Sequence, residues 1–300
     1  MSGKDTSALS ALKGMVSFFT LWHLDITQRE MDSMETRFHL VPAVGILFGV
    51  PLALVLALLV YSGEALDIPT SLLAAATCML VVYVGSKFIH FDGLTDFGDG
   101  MIVSGKREDH VRALKDTLVG AGGIGVALAV VLTSFAVYST WGALLLILIA
   151  PLTEVFVKNA MVFAASFGIA GNGMAGRQVS KTTPLSAVKG VAVSVVCGLA
   201  LFAFSSLFYC HFTGSPLESM LVPVVSAVVA GIATSAFVGY VMARNANRVL
   251  GMVNGDILGA TNEVCRPVAA FVIGLVLTLV IRWRLSSTPG ERVPAWALVA

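Results

Sequence analysis

Seven stretches of this chain are long and apolar enough to cross a bilayer, at about 41–62, 71–89, 119–138, 141–163, 186–209, 221–242 and 265–283. A helical span needs roughly 20 mostly apolar residues, and lipid offers no water to solvate free backbone groups. Composition agrees. Of 300 residues, 57% are hydrophobic and 12% charged, against about 25% charged in a soluble domain. The expected fold is therefore all-α, a polytopic membrane bundle of about seven transmembrane helices. It reads as one integral membrane domain over 1–300, with 1–40 an interfacial N-terminal segment and 41–283 the bundle. The fourth stretch is the weakest, because Pro151 interrupts it and Glu154, Lys158 and Asn159 follow. The apolar run 8–24 is too short to span comfortably and reads as an interfacial or re-entrant helix. The apolar tail Val293 to Ala300 is also too short. No small-residue cleavage site follows Met15 to Leu24, so no removed signal peptide is expected.

Basic residues give the orientation, since loops rich in Lys and Arg stay cytoplasmic. Lys4, Lys13, Arg29 and Arg37 precede the first span. Lys106, Arg107, Arg112 and Lys115 fall in 90–118, Arg177 and Lys181 in 164–185, and Arg244 and Arg248 in 243–264. With seven spans all four segments share one side, expected to face the cytoplasm of a cell (inner) membrane. The loops at 63–70 and 210–220 hold no Lys or Arg. Arg282, Arg284 and Arg292 disagree: either a span is miscounted, or they mark the interface beside Trp283. A net charge of +1 gives no electrostatic case for a nucleic-acid partner. Cys78, Cys197, Cys210 and Cys265 form no CxxC pair and read as small packing residues.

The chemistry concentrates where the second span ends, at His90-Phe-Asp92-Gly-Leu-Thr-Asp96-Phe-Gly-Asp99-Gly100. On a helix, aspartates at i, i+4 and i+7 share a face and repel one another. A divalent cation is the simplest compensation, and hard Mg²⁺ or Mn²⁺ suits carboxylate and phosphate oxygens. The competing reading is a solvated acidic loop. His90 reads equally as a hydrogen-bonded interfacial histidine, a proton carrier or a ligand.

Basic residues and Asp116 follow in the same segment. Cations beside carboxylates suit a phosphorylated substrate held with metal, although Lys106, Arg107 and Arg112 equally serve orientation. The glycines between Gly120 and Gly125 read as close helix packing before phosphate cradling. A third polar cluster, Asn254-Gly-Asp256-Ile-Leu-Gly-Ala-Thr-Asn262-Glu263, precedes the last span. Acidic groups at a span entrance are costly and usually functional, while an N-cap is the alternative for Asp256. For Glu154 and Lys158, an internal salt bridge is the structural alternative.

The run His90 to Gly100 resembles the HLDGLADTADG signature of cobalamin synthase, also called adenosylcobinamide-GDP ribazoletransferase. Gly105-Lys-Arg is similar to that family's GGRDR, and Leu114 to Ala121 to its MKDSRVGA. Asn254 to Ala260 resembles TGDxLGA, Phe18-Phe-Thr20 resembles FLTR, and Val41 to Gly49 resembles FPLVGLLLG. The motifs occur in family order from about 18 to 263 and cover most of the chain. Two family arginines are replaced, by Leu21 and Leu118, which passes their work to residues such as Lys115 or Arg37.

The resemblance implies a transferase. The ribose 3′-hydroxyl of α-ribazole or its 5′-phosphate attacks the phosphorus on the corrinoid arm of adenosylcobinamide-GDP. GMP leaves, and adenosylcobalamin or its 5′-phosphate results. The expected assignments are Asp92, Asp96, Asp99 and Asp256 as Mg²⁺ ligands, and His90 or Glu263 as proton acceptor. Lys106, Lys115, Asp116 and Asn254 are expected to bind substrate. The expected surroundings are the lipid bilayer, with homo-oligomerisation left open. Two alternatives stand: a CDP-alcohol phosphotransferase-like enzyme, whose DGxxAR…GxxxD pattern is incomplete here, and a cation-coupled transporter. A transporter expects ionisable groups near mid-span, whereas here most acids are expected at span ends on one face.

Overall fold

The computed structural model describes residues 7–287. Lys4, Arg292 and the tail from Val293 lie outside them. Among the described residues the protein is built from twelve α-helices and two short 3-10 turns, with a single isolated bridge, Ala170 to Val253, in place of any strand. Six helices are long and apolar enough to span a bilayer, and a bent pair supplies a seventh if counted as one span. The expectation of a polytopic helical bundle therefore holds.

Two short helices lead. α1 (Ala8–Phe19) starts where Ser7 accepts a hydrogen bond from the Ser10 N–H. α2 (Gln28–Thr36) starts in a Thr27–Glu30 capping box. A 3-10 turn (Phe38–Val44) then feeds α3 (Gly45–Leu66).

The second expected span is broken. α4 (Ser71–Gly85) and α5 (Ile89–Ile102) meet at 92°. The corner is made by Lys87 and Phe88, whose φ values of 55° and 57° turn the chain out of the right-handed helix. α4 alone is about 22 Å long, short of the roughly 30 Å hydrocarbon core. The aspartate segment, expected to open a loop over 90–118, is thus itself a helix. Its glycines weaken it in isolation, but packing against later helices compensates.

α6 (Arg107–Leu114) leads to α7 (Ala121–Thr140), and α8 (Gly142–Phe167) follows a tight corner. α8 is the largest departure from the sequence reading. The weakest expected span runs unbroken through Pro151 and is almost entirely buried, packed by α3 and by the later helices α10 (Pro184–Thr213), α11 (Leu221–Val249) and α12 (Gly255–Ser287). A helix surrounded by protein needs no lipid-facing side, so its polar residues find partners inside. A short α9 (Gly173–Lys181) lies between α8 and α10.

Cross-links gather one set of helix ends. The Asn247 side chain accepts from Ile169 N–H and donates to the Phe167 carbonyl, joining the ends of α8 and α11. Arg177 and Lys181 of α9 clamp the buried Glu35 of α2 at 2.8 and 2.6 Å. Arg107 of α6 donates to the Arg248 carbonyl. The four basic segments therefore share one end of the bundle, as their charge bias requires.

All four cysteines are free and buried, as packing residues should be. Introduced thiols therefore report topology without interference. Ser104→Cys and Arg244→Cys, both at exposed positions of the basic end, should react with an impermeant maleimide from one and the same side of the membrane. Glu218→Cys at the opposite end should react only from the other side. Labelling of Ser104→Cys and Glu218→Cys from one side would contradict this topology.

Candidate active site

α5 is the floor of the site. It lies against the first turns of α12 and α7, and one glycine makes the first contact possible. A Cβ at Gly93 would stand 2.9 Å from the Asp256 carbonyl oxygen, so only glycine lets α12 begin this close to α5.

That contact delivers Asp256 to the aspartates of α5. The ionised neighbours that oppose the charge of Asp96 are Asp256 first, then Asp92 and Asp99. Asp256 also faces Asp92, and the charge of Lys115 opposes that repulsion. Asp92 is exposed, whereas Asp96 and Asp256 are half-buried. Among the described residues no side-chain cation bonds Asp92 or Asp96. Residues far apart in sequence thus converge into one anionic patch beside Lys115.

Asn254 organises the α12 side. Its side chain accepts from the Ile257 N–H at 3.2 Å and donates to Asp256 Oδ2 at 2.8 Å. The N-cap expected as an alternative for Asp256 belongs to Asn254, and Asp256 keeps an oxygen for other partners.

Asp99 does different work. Its carboxylate accepts from Gly120 N–H at 2.6 Å and Gly123 N–H at 2.7 Å. Both donors belong to the start of α7, where the helix dipole also favours an anion. A Cβ at Gly123 would press to 2.5 Å of the Thr95 carbonyl. Gly120, Gly122 and Gly123 therefore seat α7 on α5, whereas Gly125 faces open space.

The remaining expected site residues, Lys115 apart, disperse. Lys115 and Asp116 lie after α6, where Asp116 accepts from the Leu118 N–H. Lys106 is exposed at the start of α6, its backbone N–H given to Asp109. Arg37 ends α2. His90 is only 2% exposed and stacks on Phe19, ring centroids 5.6 Å apart, with neither nitrogen hydrogen-bonded.

Glu263 is also buried, inside α12 rather than before it. Its carboxylate accepts from Arg266 at 3.1 and 3.2 Å and from Asn262 at 2.8 Å. Arg266 also bonds Glu154 of α8. Lys158 reaches Asn262 at 2.8 Å and Glu154 at 3.7 Å. Two cations and two anions thus balance between α8 and α12. The internal salt bridge considered for Glu154 and Lys158 is present, but its centre is Arg266, which sequence reasoning missed. A lone arginine before Pro267 in an apolar run was the available signal.

A second missed feature is a cleft of about 800 Å³ between α1 and the α4–α5 corner, lined by His23, Asp25, Lys87 and Asp92. Lys87 donates to the Ser17 carbonyl at 3.2 Å, tying α1 to that corner.

Among the described residues no three His, Cys, Asp or Glu side chains form a ready coordinating set. Mg²⁺ needs less, since it typically takes one or two carboxylates and completes its shell with water and substrate phosphate oxygens. The half-buried carboxylates of Asp96 and Asp256, crowded by like charge, fit that demand.

A family model described as cobalamin-5-phosphate synthase matches residues 11–292. A protein of Methanocella arvoryzae named adenosylcobinamide-GDP ribazoletransferase is 30% identical over 90% of this chain and 97% of its own. One of Halorubrum lacusprofundi with the same name is 31% identical over 89% of this chain and 97% of its own. A third, of Methanosarcina mazei, is 28% identical over 91% and 94%. No solved structure matches the chain.

Proposed function

The chain belongs to the cobalamin-5-phosphate synthase family, and from that premise we propose that it joins adenosylcobinamide-GDP to α-ribazole or its 5′-phosphate, releasing GMP. The observation that carries this reading is the convergence of Asp92 and Asp96 with Asp256 beside Lys115.

The transfer forms one O–P bond, from the ribose hydroxyl to the corrinoid-side phosphorus, and breaks the P–O bond to GMP. Catalysis of such a step is positioning and neutralisation of charge on phosphoryl oxygens. Asp96 and Asp256 would hold Mg²⁺, which when bound neutralises phosphate oxygens and orients the leaving group. Lys115 supplies positive charge on the same side. Asp92, with its exposed carboxylate on the cleft, takes the hydroxyl proton. His90 and Glu263 lie beneath this layer and act through packing and ion pairing. The cleft past Asp92 gives soluble substrates access from the basic end, which faces the cytoplasm in this reading.

Glu154 near the middle of α8 and Glu263 within α12 are mid-span acids, a pattern that would suit a transporter. Their ion pairing with Lys158 and Arg266 argues for a structural role instead. Purified protein in detergent should release GMP from adenosylcobinamide-GDP only when α-ribazole or its phosphate is present. GMP release requiring a sealed membrane and a gradient would contradict the proposal.

A further inference from the structure

The cleft of about 800 Å³ at the α4–α5 corner lies at one end of α5 and takes in Asp92. α6 docks at the other end, where His110 bonds the Gly100 carbonyl at 2.8 Å. From Asp92 to Gly100 is about 12 Å of helix, with Asp96 between them. In phosphoryl transfer the attacking and leaving oxygens stand roughly in line, on opposite sides of the phosphorus. With the phosphate held at Asp96 and Asp256, and Asp92 taking the hydroxyl proton, attack comes from the cleft end and GMP leaves toward α6.

The charges at the two ends agree with this division. The surface at α6 sets Arg107, Arg112 and Lys115 against Glu108 and Asp116, an excess of cations that suits a nucleoside diphosphate. The cleft sets Lys87 against Asp25 and Asp92, and the Lys87 ammonium is already given to the Ser17 carbonyl. An excess of carboxylates repels a diphosphate and admits an uncharged nucleoside. The cleft also offers an aromatic platform. Phe88 lines it and is 48% exposed, while Tyr83 stacks on the ring with centroids 5.8 Å apart and planes within 14°. Leu24, Ile26 and Met31 add apolar wall. The platform is held by strain, since Lys87 and Phe88 are consecutive non-glycine residues at φ 55° and 57°. Such conformations concentrate where ligands bind.

We propose that this cleft is the binding site of the acceptor nucleoside, with its aromatic base stacked on Phe88 and its ribose hydroxyl directed to Asp92. The assignment rests on the transfer reading above. The test is steady-state GMP release by the full chain in detergent, with α-ribazole and adenosylcobinamide-GDP varied in turn. Base–aromatic stacking is strong enough that Phe88→Asn should raise the KM for α-ribazole about tenfold, while the KM for adenosylcobinamide-GDP stays within about twofold. Asn tolerates the left-handed φ at position 88. Phe88→Trp keeps an aromatic face and should leave the KM for α-ribazole near that of the parent. Ile26→Trp narrows the cleft from the loop after α1, and should raise the same KM with Phe88 intact. A rise in the KM for adenosylcobinamide-GDP in place of that for α-ribazole would put the guanosine in the cleft and overturn the proposal. Unchanged KM values for both substrates in Phe88→Asn and in Ile26→Trp would overturn it too. Failure of the parent protein to release GMP on addition of α-ribazole would contradict the transfer reading itself, a result distinct from either of these.

Discussion

An Asp96→Asn protein should fold normally in detergent and release GMP at least roughly tenfold more slowly than its parent, the scale on which perturbed metal sites lose activity. Asparagine keeps the shape and removes the charge. Asp96 is opposed by three other carboxylates, so the substitution relieves repulsion, and thermal stability should stay level or rise while turnover falls. Asp256→Asn should behave alike. Asp99→Asn should not, because its carboxylate closes the start of α7 with two backbone hydrogen bonds. There the loss should be in stability, about 1–3 kcal/mol for groups left poorly satisfied, with a smaller effect on the Mg²⁺ concentration needed for half-maximal rate. Near-normal turnover of Asp96→Asn at saturating Mg²⁺ would remove it from the site.

Arg266→Met should be the most destabilising single change in the protein. Arg266 is fully buried and bonds both Glu154 and Glu263. Its removal leaves two buried carboxylates sharing Lys158, and breaking a buried pair typically costs about 3–5 kcal/mol. Glu263→Gln alone unbalances the network in the other direction. The double variant Glu263→Gln with Arg266→Met leaves Lys158 paired with Glu154 and restores neutrality. Its stability should exceed that of Arg266→Met, and GMP release should recover with it. A double variant that is stable yet inactive would assign Glu263 a direct part in the chemistry.

The sequence carried the spans, the shared polar end and the acidic run, because each is written in hydropathy, charge bias or spacing. What it could not carry was which helix the others surround. α8 read as a weak span because its polar residues lower its hydropathy, and those residues are tolerable only because α12 answers them. Spacing likewise treated Asp92, Asp96 and Asp99 as equals. The 92° corner and the seating of α7 then turned Asp99 to a capping task and left the other two facing Asp256. His90 read as interfacial or reactive because its place in the motif says nothing of Phe19, which covers it from α1. The polar run ending in Glu263 read as a span entrance because hydropathy falls there. The helix nevertheless starts at Gly255, so Glu263 lies over two turns inside it.

The most direct test of a single site shared by α5 and α12 is a double-mutant cycle on GMP release. Wild type, Asp92→Asn, Asp256→Asn and the double variant would be compared at matched protein and Mg²⁺. Residues acting as one unit are strongly non-additive, so each single change should nearly abolish transfer and the double should be little worse than the worse single. A double-mutant rate equal to the product of the two fractional activities, and clearly above background, would contradict a shared site and give Asp256 a separate role.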